Sequence, residues 1–349
     1  MNLSYLSKYR SQLMGVAACF IILCHSTFVL PGSFGDIYKV YVSQFMQIGV
    51  DIFLLVSGLG CYFSIKKTPS VLRFYRKRMI RILVPYLVFV IAYGVFSICF
   101  FNQSITDYLF TYSLVSFFTR GVLAVWFIAA ILVLYLVFPL LYKLINRKSA
   151  SMLILSVVII GIVLLPIWEN CPHALAIVRE IFLPRIPVFL IGMWIGNRIY
   201  GERDMRINVG LCLSVFLISL IAFSLNAFLN TMDTWVIARL LFLPLSCSLC
   251  CLLSSGFHKI QLQKKRVGKA ALFMGSLSLE LYLVHEAVLH FITDYIPRPR
   301  FIFSILSDTL VSVVVNLLSI ALACLIAWLI HWLSQKNIAL LGQQNKRKA

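Results

Sequence analysis

The sequence predicts an all-α integral membrane protein of about ten transmembrane helices, with both termini in the cytoplasm. Three observations carry this. Apolar residues make up 61% of the chain and charged residues 12%, against roughly 45–50% and about 25% in soluble domains, and mean hydropathy is +0.94. The apolar residues fall into repeated runs of roughly 17–25, the length of a membrane helix, without the alternation of barrel strands. Basic residues gather in every second connection.

The runs lie at 12–32, 46–65, 79–100, 120–142, 151–168, 181–199, 208–228, 236–256, 271–293 and 304–333. The last is long enough to tilt or to extend past the bilayer. With the N-terminus inside, 24 of the 31 Lys and Arg residues occupy cytoplasmic segments, most densely from Lys66 to Arg81. Lys39, Arg120, Arg179, Arg185, Arg239, Arg298 and Arg300 are left outside. An odd number of spans would break this alternation. No internal repeat, soluble domain or long linker is evident, so 1–349 reads as a single membrane domain. The first run lacks a small-residue cleavage site and is expected to remain as a span.

The formal charge of +19 is divided among short loops and forms no continuous face, which argues against nucleic acid as a partner. All ten cysteines except Cys171 fall inside apolar runs and read as small buried hydrophobes. Cys247 and Cys250 have CxxC spacing but no further ligands nearby, so no metal is expected.

An ionisable side chain inside a membrane helix is a functional-site hypothesis by default. His25 falls roughly 20 Å into the first run, and Asp51 roughly 8 Å below the outer boundary in the second. If these helices are neighbours, a carboxylate on one ring nitrogen leaves the other free to take a proton, which is the machinery for activating a hydroxyl. The alternative is a histidine capping a carbonyl and an aspartate paired with a loop. Trp126, Arg185, Tyr282 and His285 reach the same level and would line one outward-open cavity with them; Glu286 lies beside them. Trp126 equally suits an interfacial anchor, and Tyr282 a core tyrosine. His290 and His331, near run ends, read as interfacial. On the cytoplasmic side Arg78 and Arg81 are three residues apart, hence on one helix face, with Arg76 and Lys77 beside them. Paired guanidiniums suit bidentate phosphate binding; ordinary positive-inside charge, or contact with anionic membrane lipids, is the other account.

Several segments together resemble the membrane-bound acyltransferase family 3, the bacterial O-acyltransferases of lipopolysaccharide, capsule, exopolysaccharide and peptidoglycan. They are Gly15-Val-Ala-Ala…His25, Gly49-Val-Asp51…Ser57-Gly58, Phe74-Tyr…Arg78-Met-Ile-Arg81…Pro85-Tyr86, Val125-Trp126…Tyr135…Pro139, Pro184-Arg185-Ile-Pro187…Gly192 and Ser276…Ser278…Tyr282…His285. Each is weak alone; their order and their spread over nearly the whole chain make them specific. The resemblance implies an O-acetyltransferase of the bacterial inner membrane. Its donor would be cytoplasmic acetyl-coenzyme A, a substrate rather than a bound cofactor, and its acceptor a cell-surface glycan hydroxyl. Polysaccharide-synthesis machinery is an implied partner.

In that resemblance His25 matches the catalytic histidine, and Arg78 and Arg81 the Arg-x-x-Arg motif associated with donor binding. Asp51, Trp126, Arg185, Tyr282 and His285 match recurrent positions. The chain departs from the pattern at Met14, where the family has arginine, and at Ile131, where some members carry an acid. Arg10, one turn before Met14, is expected to reach toward the same space. The competing expectations are a non-catalytic transporter of a polysaccharide or small solute and an assembly subunit of a polysaccharide synthase. No inverted repeat and no pair of broken helices favours transport. The acceptor glycan, the acylated hydroxyl and the oligomeric state lie beyond the sequence.

Overall fold

A computed structural model describes residues 1–26, 38–168, 170–201, 205–229, 234–295 and 308–347. Arg203, Arg298, Arg300 and Lys348, and the run ends at 27–32 and 304–307, lie outside them, as do the side chains of Lys39, His290, Lys346 and Arg347. Each apolar run has a helix. In chain order these are α1 (Arg10–His25), α2 (Ile48–Lys67), α3 (Val71–Phe101), α4 (Trp126–Arg147), α5 (Ser151–Val163), α6 (Ile186–Gly201), α7 (Val209–Leu229), α8 (Thr234–Lys259), α9 (Arg266–Ser276), α10 (Ser278–Tyr295) and α11 (Asp308–Arg347). No strand occurs among the described residues beyond one isolated bridge, Asn2 to Arg206.

Six helical stretches are long and apolar enough to cross a membrane, or seven if α9 and α10 are one span. These two meet at a 77° bend, a broken helix that the apolar run at 271–293 did not disclose. The interior prolines Pro85, Pro139 and Pro244 leave α3, α4 and α8 continuous helices, as neighbouring protein allows in membrane helices. With 40 residues, α11 is about 60 Å long and exceeds the hydrocarbon core.

The centre of the bundle is α2. Its most apolar stretch is 83% buried inside the protein, against 22% for α7. α2 packs on α6, α1 and α8, α1 packs on α9 and α10, and α10 packs on α11. Small residues permit the closest approach, as is usual where lipid offers no hydrophobic drive. A Cβ on Gly192 would collide with the Leu55 carbonyl, and one on Gly58 with the Phe189 carbonyl. Gly192→Ala should therefore cost about 1–3 kcal/mol, read as a lowered unfolding midpoint in detergent. Gly161→Ala, whose Cβ would meet open space, should leave the midpoint unchanged or raise it.

Candidate active site

α1 ends at His25, short of the continuing span expected from 12–32. Ending a helix at membrane depth leaves carbonyls that need partners, and three hydroxyls supply them. Ser26 Oγ donates to the Ile22 carbonyl (2.8 Å), Tyr38 to that of Leu23 (2.7 Å) and Ser43 Oγ to that of Cys24 (2.9 Å). Ser26 itself turns into extended backbone. His25 thus stands exposed on the last residue of a sealed helix end, where the macrodipole favours a positive charge.

Its ring meets that of His285 edge to face, centroids 4.8 Å apart. On α10, His285 follows Tyr282 by one turn, and the Tyr282 hydroxyl accepts the Phe127 backbone N–H at 3.3 Å. Asp51 lies elsewhere in this cluster. It is fully buried in the first turn of α2 and pairs with Arg185 Nε at 3.4 Å. The expected Asp51–His25 hydrogen bond is not among those of the described residues, and Asp51 Oδ1 has no hydrogen-bond partner there. Arg185 occupies a 3-10 turn just before α6. It donates through Nη1 to the Ile181 carbonyl at 2.8 Å and lies over the Trp126 ring at 5.2 Å. Trp126 and Phe127, the first residues of α4, join the carboxylate–arginine cluster to the histidine pair. All six residues expected at this level are therefore in one region, with a different pairing from the one expected.

At the other end of the same helices lies a cavity of about 340 Å³. Arg10, Lys67, Lys77, Arg78 and Arg81 line it, and no carboxylate does among the described residues. Arg78 is held in place: Nη2 donates to the Gly60 carbonyl at 2.9 Å, and its guanidinium lies 5.3 Å from the Tyr135 ring. The Arg10 and Arg78 guanidiniums pass over Gly60, where a Cβ would meet them only at ordinary contact distance. Arg76 is exposed and is not among the lining residues. Met14 and Ile131, where the chain departs from the pattern it resembles, both line the cavity as apolar side chains. Phe53 and Phe127 complete the apolar wall, and Gly275 and Ser278 bring the α9–α10 bend to its edge.

Several roles were not read from sequence. Lys67 sits in an ordinary basic run and Tyr135 was named only as one position of a family-like segment; the fold shows that both face the cavity. Arg239, assigned to the outside by charge counting, is buried and bonded to Glu180 at 3.1 Å; its place inside the run 236–256 was the available signal. His331, read as interfacial, pairs with Glu280 at 2.8 Å.

Removing one partner of a buried ion pair strands the other charge. Arg185→Leu should cost about 3–5 kcal/mol and Asp51→Leu a similar amount, while the double variant should cost clearly less than their sum. Detergent unfolding of the three variants reads this coupling.

No curated protein and no solved structure matches the chain. A family described as an acyltransferase domain matches residues 13–332, nearly the whole length. The protein is a multi-pass membrane protein and belongs to the membrane-bound acyltransferase family 3.

Proposed function

We propose that the protein is an O-acetyltransferase that carries acetyl from acetyl-coenzyme A to a hydroxyl of a cell-surface glycan. The observation that supports this best is the pairing of a cavity lined by five cations, and by no carboxylate among the described residues, with a histidine pair at the opposite end of the same helices. Polyphosphate is the ligand chemistry such a cavity suits, with Arg78, Arg81 and Arg10 gripping phosphate oxygens and Lys67 and Lys77 adding charge. The apolar wall of Met14, Phe53, Phe127 and Ile131 suits an uncharged thioester arm. Eleven helical steps lead from Met14 to His25 along α1, about 16 Å, which a long flexible arm must bridge.

At the far end His25 takes the proton of the acceptor hydroxyl as its oxygen attacks the thioester carbonyl. The attack is direct or proceeds through an acyl-histidine. The Tyr282 hydroxyl, which accepts from Phe127, keeps its own proton to donate to the developing oxyanion; Arg185 supplies positive charge nearby. Topologically, α1, α5 and α6 join the longer helices to make ten spans, with both termini and the basic cavity in the cytoplasm of a bacterium. The surrounding lipids and the polysaccharide-synthesis machinery are the remaining partners.

A transporter of a polysaccharide or small solute is the competing reading, and the 77° break beside the cavity is the observation in its favour, since broken helices form many transport sites. Purified protein in nanodiscs distinguishes the two. Acetyl-coenzyme A should be bound and cleaved by the wild type. Arg78→Ala/Arg81→Ala should abolish binding, and His25→Ala should retain binding while lowering turnover on the order of 10²–10⁴-fold. Binding should weaken with added salt, and acetyl-pantetheine, lacking the nucleotide phosphates, should compete poorly. A folded wild type that never cleaves the thioester, or a His25→Ala variant of full activity, would sink the enzymatic assignment.

A further inference from the structure

His285 is buried, and its Nδ1 lies 3.0 Å from the carbonyl oxygen of Leu281 and 2.8 Å from that of Tyr282. Carbonyl oxygens only accept, so Nδ1 of the neutral ring must carry the proton and donate to them. Nε2 is then the nitrogen with the lone pair. The backbone of α10 therefore sets the tautomer of His285. The His25 ring is 4.8 Å away, centroid to centroid, at an interplanar angle of 71°. The nearby carboxylate, Asp51, is meanwhile engaged by Arg185.

We propose that His285 is the positioning residue of His25, presenting to it a lone pair fixed in direction, the part a carboxylate plays in a serine–histidine–aspartate triad. This rests on His25 acting as the base of the transferase. When the acceptor hydroxyl oxygen forms its bond to the thioester carbonyl, the hydroxyl proton moves to one ring nitrogen of His25. The two rings are in edge-to-face contact and share no hydrogen bond through Nε2 in the structure; as the imidazolium forms, the N–H on the other His25 nitrogen turns to donate to Nε2 of His285. This bond and the carboxyl end of the α1 dipole together hold the imidazolium. As the carbon–sulfur bond breaks, His25 returns the proton to the sulfur. The products are an ester and a free thiol, and His285 finishes in the tautomer in which it began. Because His285 stays neutral throughout, no second buried charge is created beside the imidazolium. Tyr282 connects this pair to the donor, through the Phe127 amide at one side and its ring contact with Phe127 (5.1 Å) at the other.

Two measurements on nanodisc protein test this. In kinetics, His285→Phe keeps a ring but removes the acceptor, whereas His285→Gln places an amide oxygen near the former Nε2. His285→Phe should lower kcat on the order of 10²-fold with an acetyl-coenzyme A KM within about twofold of wild type, and His285→Gln should recover at least about tenfold of that loss. In spectra of ¹⁵N-histidine protein, His285 should show an Nδ1–H tautomer, and its Nε2 signal should move in His25→Ala. Wild-type kinetics in His285→Phe, equal impairment in both variants, an Nε2–H tautomer, or an Nε2 signal indifferent to His25→Ala would each overturn the proposal. A wild type that cleaves no acetyl-coenzyme A would instead overturn the transferase reading. In that case the spectra still decide whether His285 presents its lone pair to His25.

Discussion

Backbone polar groups at membrane depth have no water to turn to, so a helix that stops there must find partners for its last carbonyls within the protein. α1 does this with three hydroxyls, from Ser26, Tyr38 and Ser43. That arrangement makes the rest of the site possible. It allows the chain to leave the helix at His25, places the imidazole at the carboxyl end of a helix dipole, and exposes it where a ring buried mid-span would be walled in. Tyr38 and Ser43 belong to the segment leading into α2, so the residues that seal α1 also help set where Asp51 enters the bundle.

Charge is then separated along the bundle axis. One end gathers five cations around a cavity, with no carboxylate among its described lining residues. At the other, Arg185 pairs with Asp51 and Arg239 with Glu180. Unpaired cations facing open space attract an anion, whereas paired and buried ones hold elements together. The contrast separates residues available for a polyanionic ligand from residues that build the wall behind the histidines. Phe127 touches both regions: it lines the cavity, and its amide N–H is bonded to Tyr282.

The glycine contacts explain how two such regions fit one bundle. α2 and α6 meet backbone to backbone at Gly58 and Gly192, and α1 meets α9 at Gly15 and Gly275 in the same way. The cavity lies where α1, α2, α3 and α4 meet. The bend between α9 and α10 opens its edge and lets α10 run on toward His25 carrying Tyr282 and His285.

The sequence by itself determined the all-helical membrane class, the approximate place of the long apolar helices, and the family, because hydropathy, charge bias and motif order are local properties of the chain. Arg10, Lys77, Arg78 and Arg81 were legible as a basic group, and all four line one cavity. Only the tertiary structure decided which of these residues pair. Asp51 and His25 were placed at one depth by counting along helices, but depth says nothing of azimuth, and the rotation of α2 turns the carboxylate to Arg185. His285 meets His25 because α10 starts at a bend that hydropathy does not register. Which side chains face a cavity, as Lys67 and Tyr135 do while Arg76 does not, follows from how helices rotate against one another. That rotation is set by contacts between residues far apart in the chain.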